Sequence, residues 1–306
     1  MKILVATEKP FTPVAIAGVR EIATAAGFEV ALLEKYSSSE QLIAAVSDVD
    51  GLIVRSDKVT ADVIKAAPRL KVVVRAGAGF DNLDLASCTA SGVVAMNTPG
   101  QNSNAVAELA MGMMIFMARS QFGGAGTEIK GKTLGIHAYG NVGRLVGLLG
   151  KAMGMRVYAY DPFITDDSVF EKDGVTKVDS VEQLYQKSDY LSLHIPATAQ
   201  TKGSVGYALA TSMPKGATIV NTARAEVIDE QGLMEAMQER TDLKYITDVA
   251  PKNCAAFVEQ FGKRYFGTPK KMGAETAEAN VNAALAAVSE IIDFIKTGNK
   301  KYQVNR

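Results

Sequence analysis

Two glycines at the mouth of a helix are the first residues here whose type and spacing carry chemistry. After the apolar run Leu134 to His137 the chain reads Ala138-Tyr139-Gly140-Asn141-Val142-Gly143. Gly140 would let the backbone approach a phosphate, and Gly143 would let the helix pack tightly on the strand. The helix N-terminus would add unpaired N–H groups and the positive end of its dipole. Ala138 stands where the usual fingerprint has its first glycine, so the pattern alone fits a plain strand-to-helix turn as well as a dinucleotide site. Further on, the run Val157 to Tyr160 ends in Asp161, where a carboxylate would hydrogen-bond an adenosine ribose and repel a 2′-phosphate. An Asp-Pro pair also caps loops. Strand, glycines, helix, strand and acid in this register nevertheless point to NAD.

Three arginines follow strand-like runs: Arg55 after Leu52 to Val54, Arg75 after Val72 to Val74, and Arg224 after Thr218 to Asn221. Ligands of open parallel sheets bind outside the carboxyl ends of the strands, and a guanidinium fork matches carboxylate and phosphate. Each arginine alone reads more readily as a solvated surface residue than as a ligand. Together they suggest a cleft between two domains that clamps a small, multiply anionic molecule. Arg75 is followed by Ala76-Gly77-Ala78-Gly79, a small-residue turn whose amides suit an anion.

The elements that must carry these residues alternate from the start. Short β-rich runs (Ile3 to Ala6, Val30 to Leu33, Leu52 to Val54, Val72 to Val74, Val93 to Met96) interleave with helical stretches (Val14 to Ala26, Ser39 to Val46, Thr60 to Ala66, Asp84 to Ala90). This is the βαβ rhythm of a parallel sheet. Turn residues Asn97 to Gly100 interrupt it, a long apolar helix about Asn104 to Ala118 and a Gly-rich connector from Phe122 to Gly126 follow, and a second series starts at Thr133. Its strands are Leu134 to His137, Val157 to Tyr160, Tyr190 to Leu193, Thr218 to Asn221 and Tyr245 to Thr247, with helices Val142 to Met153, Val181 to Gln186 and Glu230 to Met237. A capped amphipathic helix, Ala274 to Lys296, comes last. The fold expected is α/β, with two doubly wound parallel-sheet domains.

Composition narrows the function. The chain has 306 residues, with 33 Lys and Arg against 33 Asp and Glu, so no net charge draws it to nucleic acid or to a membrane surface. Two cysteines and two histidines do not make a disulfide framework or a His-rich metal site. No signal peptide or membrane span is read, and a cytoplasmic setting is expected.

The segments LIVRSDKVTADVI (52 to 64), VVVRAGAGFDNLDL (72 to 85), MNTPGQNSNAVAEL (96 to 109), GKTLGIHAYGNVGR (131 to 144), VNTARAEVID (220 to 229) and TPKKMGAETAEAN (268 to 280) closely resemble D-2-hydroxyacid dehydrogenases. The match runs from about residue 50 to 296; before that only the rhythm fits. The resemblance implies a Rossmann-type NAD domain, 98–275, inserted into a flavodoxin-like substrate domain made of 1–97 and 276–306. It implies that Arg224 holds the substrate carboxylate and the keto or hydroxyl oxygen, with Arg55, Ser56, Arg75, Gly77 and Asn102 on the rest of the substrate. Around the cofactor it implies Tyr139, Gly140, Asn141, Val142 and Gly143 at the phosphates and Asp161 at the ribose. His194 and Pro196 would flank the adenine, Thr222 and Ala223 pass close by, and Asp248 meet the nicotinamide amide. His137 reads as a buried strand residue. A homodimer is implied as well, with the helix at 104 to 118 as one contact, though its apolar face suits an internal core equally. The pairs Arg55-Ser56 and Arg75-Ala76-Gly77 look most like the branch that oxidises 3-phosphoglycerate, the entry to serine biosynthesis.

Departures are as informative. The family's proton-shuttling histidine, backed by a glutamate, is absent. Counting back from Gly273-Ala274 puts Lys271 in its place, counting forward from Pro269 puts Lys270 there, and the glutamate position is Asn253. Short members of that branch, without a C-terminal regulatory domain, carry lysine in this role. An unperturbed ammonium near pKa 10.4 is a poor base at neutral pH, so burial and neighbouring cations must lower it. Ala225 replaces a glycine usual after the catalytic arginine. Two other functions fit the same frame: reduction of an unphosphorylated 2-keto acid such as glyoxylate or hydroxypyruvate, and dinucleotide sensing without catalysis.

Overall fold

In the computed structural model, which describes residues 1–305, the aliphatic runs too short for helices become strands, and stretches with apolar residues three and four apart become helices. From the N-terminus come β1 (Lys2–Thr7), α1 (Pro13–Ala25), β2 (Glu29–Glu34), α2 (Ser39–Ala45), β3 (Gly51–Val54), α3 (Ala61–Lys65), β4 (Val72–Arg75), α4 (Leu85–Ala90) and β5 (Val94–Asn97). There follow α5 (Ser103–Ala118), β6 (Thr133–His137), α6 (Asn141–Ala152), β7 (Arg156–Tyr160), α7 (Ser168–Asp173), β8 (Thr176–Lys177), α8 (Val181–Lys187) and β9 (Tyr190–Leu193). Then come α9 (Tyr207–Ser212), β10 (Thr218–Asn221), α10 (Glu230–Glu239), β11 (Lys244–Thr247), α11 (Cys254–Phe261), β12 (Tyr265–Gly267) and α12 (Ala277–Thr297).

The chain divides into two compact units, Met1–Asn102 with Glu275–Arg306, and Ser103–Ala274. In the first, five parallel strands are ordered β2-β1-β3-β4-β5. Helix α12 returns to cover this sheet beside α1: Ala284, Ala287, Val288 and Ile291 bury against Ile3, Val5 and Ile53 in one core. The helix starts three residues later than its apolar pattern suggests, because the Thr276 side chain accepts from the Ala279 N–H at 3.1 Å and caps it there. After Gly298 ends the helix, Val304 N–H donates to the Ala95 carbonyl at 2.8 Å and Asn305 Oδ1 accepts from the Ala95 N–H at 2.8 Å. The tail thereby covers the exposed edge of β5, where unpaired backbone groups would otherwise invite association.

The second unit is a seven-stranded parallel sheet, ordered β12-β11-β10-β9-β6-β7-β8. Strand order reverses around β6, which pairs with β9 on one side and β7 on the other. Ligands of doubly wound sheets bind at such a reversal. Helix α5 belongs to this unit's core: Ala110, Met111, Met114 and Met117 are buried with Leu134, Ile136 and Val220. Sequence periodicity did not reveal α7, β8, α9, α11 or β12, which run from two to eight residues. Among the described residues no helix is long and apolar enough to cross a membrane, and no group of three or more His, Cys, Asp or Glu side chains could hold a metal ion.

Candidate functional site

The reversal around β6 opens a cavity of about 650 Å3 whose walls include Ala138, Gly140, Asp161, Phe163, His194 and Pro196. The two glycines of the turn have different reasons to be there. A Cβ on Gly143 would stand 2.1 Å from the Ala138 carbonyl oxygen and 2.9 Å from Ile136 Cγ2, so helix and strand could not close on each other. A Cβ on Gly140 would meet nothing within 4 Å. Nothing among the described residues requires glycine at 140, and the space beside it is open to a ligand. Asn141 and Val142 form the first turn of α6, the former exposed and the latter half-buried. Ala138 holds a φ of 76°, a left-handed conformation that costs an alanine about 1–2 kcal/mol.

Asp161, buried at the end of β7, accepts from the Tyr139 N–H at 2.9 Å through Oδ2 and from the Phe163 N–H at 2.9 Å through Oδ1. The acid and the glycine turn are therefore one unit of backbone and carboxylate. The Tyr139 side chain does not face the cavity. Its ring stacks on Phe170 at 5.0 Å and its hydroxyl donates to Asp173 at 3.0 Å, while Arg144 clasps both oxygens of the same aspartate at 2.6 and 2.9 Å. What Tyr139 can offer a cofactor is backbone only. Desolvation lowers the His137 ring to about 4 against the pull of Asp161, and lowers His194 to about 3 with help from His137. Both imidazoles are neutral near pH 7. His194 Nε2 lies 2.9 Å from Ser192 Oγ, and His137 Nδ1 lies 3.3 Å from the Tyr185 hydroxyl.

Strand β10 delivers the next group. The Asn221 amide donates to the Arg224 carbonyl at 2.9 Å and its Oδ1 accepts from the Ala223 N–H at 3.0 Å, which fixes the turn before the half-buried Arg224. That guanidinium donates to the Ala223 carbonyl at 2.9 Å. The Thr222 hydroxyl is buried and has no partner among the described residues, a cost that buried polar groups rarely carry. An open Gly140, an unpartnered Thr222 and an acidic strand end are the features a bound dinucleotide would satisfy, and they fit NAD.

Asp248, at the end of β11, is only 1% exposed. The sequence expectation sets it against the nicotinamide amide, but its oxygens are turned to the segment 268–273. Oδ1 accepts from Met272 N–H at 2.7 Å and from the Thr268 hydroxyl at 2.9 Å, and Oδ2 accepts from Gly273 N–H at 2.8 Å. Lys270 and Lys271 ride on this segment and both are exposed, so the burial expected to lower a lysine base is not what the structure provides, and neighbouring cations would have to do it.

The first unit gathers its own cationic groups. Arg75 Nε donates to the Arg55 carbonyl at 3.0 Å, and a Cβ on Gly77 would lie 1.6 Å from Arg75 Nη1, so the guanidinium takes the space a side chain would need at a glycine held at φ 145°. Arg55 donates to the Lys9 carbonyl at 3.0 Å and to Asn280 Oδ1 at 2.5 Å, with its guanidinium 5.2 Å above the Phe11 ring. Ser56 is exposed beside Arg55, and Asn102 is half-buried at the end of the unit. Asn280 is a partner that chain order hides, since 225 residues separate it from Arg55.

Residues 92–265 match the family described as D-isomer specific 2-hydroxyacid dehydrogenase, NAD binding domain. The chain is 37% identical over 282 residues to a D-3-phosphoglycerate dehydrogenase of Methanocaldococcus jannaschii, covering 85% of this chain and 52% of that one. It is 36% identical over 222 residues to a hydroxypyruvate reductase of Thermotoga maritima, covering 68% and 71%. Among solved structures, NAD+-bound 3-phosphoglycerate dehydrogenase of Entamoeba histolytica superposes with a TM-score of 0.87 at 50% identity, covering 100% and 99%. The chain spans about half the length of the curated phosphoglycerate dehydrogenases it matches.

Proposed function

The chain belongs to the D-isomer specific 2-hydroxyacid dehydrogenases and carries their NAD-binding domain, and from that premise we propose that it oxidises 3-phosphoglycerate at C2 to 3-phosphohydroxypyruvate. When bound, NAD supplies the hydride acceptor. The work of the chain's own residues is to grip, orient and move a proton.

In this reading the phosphate goes to the Arg55, Ser56, Arg75 and Gly77 group of the first unit, with Asn102 on the same substrate. The observation that carries the reading is the pairing of Arg75 with the Arg55 backbone beside a glycine that has no room for a Cβ. Two guanidiniums held close together in this way can offer a phosphate charge-assisted contacts that a short neutral substrate end has no use for. Arg224 takes the carboxylate and polarises the C2 oxygen as it becomes a carbonyl. Lys271, as free amine, accepts the hydroxyl proton on Nζ while the C2–H bond is broken. Gly140, Gly143, Thr222, Ala223 and the first turn of α6 line the path of the diphosphate and nicotinamide, Asp161 takes the ribose, and His194 and Pro196 flank the adenine.

The test is NADH oxidation with phosphohydroxypyruvate beside hydroxypyruvate, glyoxylate and pyruvate. A clear preference for the phosphorylated acid supports the reading. Equal or better turnover of hydroxypyruvate or glyoxylate makes the chain a reductase of unphosphorylated keto acids, and NADH binding with no turnover of any of them makes it a dinucleotide sensor.

A further inference from the structure

Asn253 stands at the position where the resemblance implies a glutamate backing the family's proton-shuttling residue. We propose that Asp248 is a positioning residue that fixes Lys271 through the backbone, by gripping the two amides that follow the lysine in the chain. The proposal rests on the reading of Lys271 given above.

Asp248 is well placed to hold something still. Its own N–H donates to the Asn221 carbonyl at 2.9 Å, which locks it to β10. Its carboxylate takes Met272 and Gly273 N–H at 2.7 and 2.8 Å, together with the Thr268 hydroxyl at 2.9 Å. The Thr268 N–H donates in turn to the Thr247 carbonyl at 3.0 Å. Both ends of the segment 268–273 are thus pinned to the end of β11, with Pro269 limiting the conformations between. A Cβ on Gly273 would stand 3.0 Å from Asp248 Oδ2, so the close approach uses the missing side chain.

This arrangement suits a lysine better than a couple between side chains would. A carboxylate paired with the ammonium would stabilise the charged form and oppose deprotonation. Here the negative charge is spread over two amides and a hydroxyl, and what is fixed is the base of a flexible side chain. Short charge-assisted hydrogen bonds are about twice as strong as neutral ones, which is what a six-residue turn between a strand and a helix needs.

The experiment compares Asp248→Asn, Thr268→Val, Thr268→Ser and Lys271→Met in the full chain. It reads kcat with NADH and phosphohydroxypyruvate, the NADH dissociation constant, and hydrogen exchange of the peptide over 268–274. Asp248→Asn is expected to lower kcat about 10- to 100-fold, leave the NADH constant within about twofold, and speed exchange at Met272 and Gly273. Thr268→Val is expected to lower kcat by about threefold to tenfold, and Thr268→Ser to restore it. Wild-type kcat and protection in Asp248→Asn, with Lys271→Met inactive, overturns the role of Asp248 and leaves the lysine standing. A more than about tenfold rise in the NADH constant with unchanged exchange overturns it in favour of direct nicotinamide contact. Full kcat in Lys271→Met removes the underlying reading and the proposal with it. If Asp248→Asn does not fold, the Thr268 pair decides, and wild-type kcat in Thr268→Val overturns the proposal.

Discussion

The carboxylate of Asp161 accepts a hydrogen bond from the backbone N–H of Tyr139 at 2.9 Å. The acid proposed to take the ribose and the turn proposed to carry the phosphates are held by one contact, so a change in either is felt by both. Arg144, Asp173 and the Tyr139 hydroxyl secure the same turn from behind, where α6 meets α7.

Replacing Asp161 by alanine removes both the proposed ribose acceptor and this anchor. NADH affinity should fall about 10- to 100-fold, the cost of losing a charged acceptor and loosening the turn. NADPH, no longer repelled, should fall less or improve. Titration of both reduced nucleotides against wild type and variant checks this, and an unchanged NADH to NADPH ratio would contradict the assignment.

Ala138 in the left-handed region is a second consequence of the turn. Ala138→Gly relieves roughly 1–2 kcal/mol of backbone strain and loses about 0.4–1 kcal/mol to the freer unfolded chain. The net expectation is a small stabilisation, about 1 kcal/mol or less, seen as a midpoint rise of about 2 °C in thermal unfolding. A lower midpoint would mean that the methyl contributes packing that outweighs the strain.

Glu290 on α12 gives a dependence of stability on pH. Its Oε2 is buried with no partner among the described residues, and burial raises the carboxyl from 4.5 to about 8. The folded state keeps its proton where the unfolded state releases it. This group therefore costs nothing below about pH 4.5, costs progressively more as pH rises to 8, and carries its full penalty above that. Glu290→Gln should leave stability at pH 4 unchanged and raise it at pH 9 by on the order of 2–4 kcal/mol. Denaturant unfolding at the two pH values measures it, and an equal effect at both would show that the glutamate is not held neutral.

Much of this could be read from the chain alone, for physical reasons that also mark where reading stops. Runs such as Val72-Val73-Val74 and Leu134-Gly135-Ile136 are buried on both faces, and only a parallel sheet covered by helices asks for that. Gly140, Gly143 and Asp161 were visible because the glycine turn and the acid lie in one βαβ stretch, within about two dozen residues of each other. The hold of Asp248 on Met272 and Gly273 was not, because 24 and 25 residues separate the partners and an aspartate after a strand looks the same whatever it faces. Asn280 was out of reach for the same reason. Elements such as α11, with only Phe257 and Phe261 buried, and the three-residue β12 are too short to show a period.

The central claim is that guanidinium charges in the first unit recognise a phosphate. The most direct test is the ratio of kcat/KM for phosphohydroxypyruvate to that for hydroxypyruvate, measured in wild type and in Arg75→Met. The ratio should fall by about 10- to 100-fold in the variant, almost all of it through the phosphorylated substrate. A ratio that stays at its wild-type value, with both substrates slowed equally, would contradict the account.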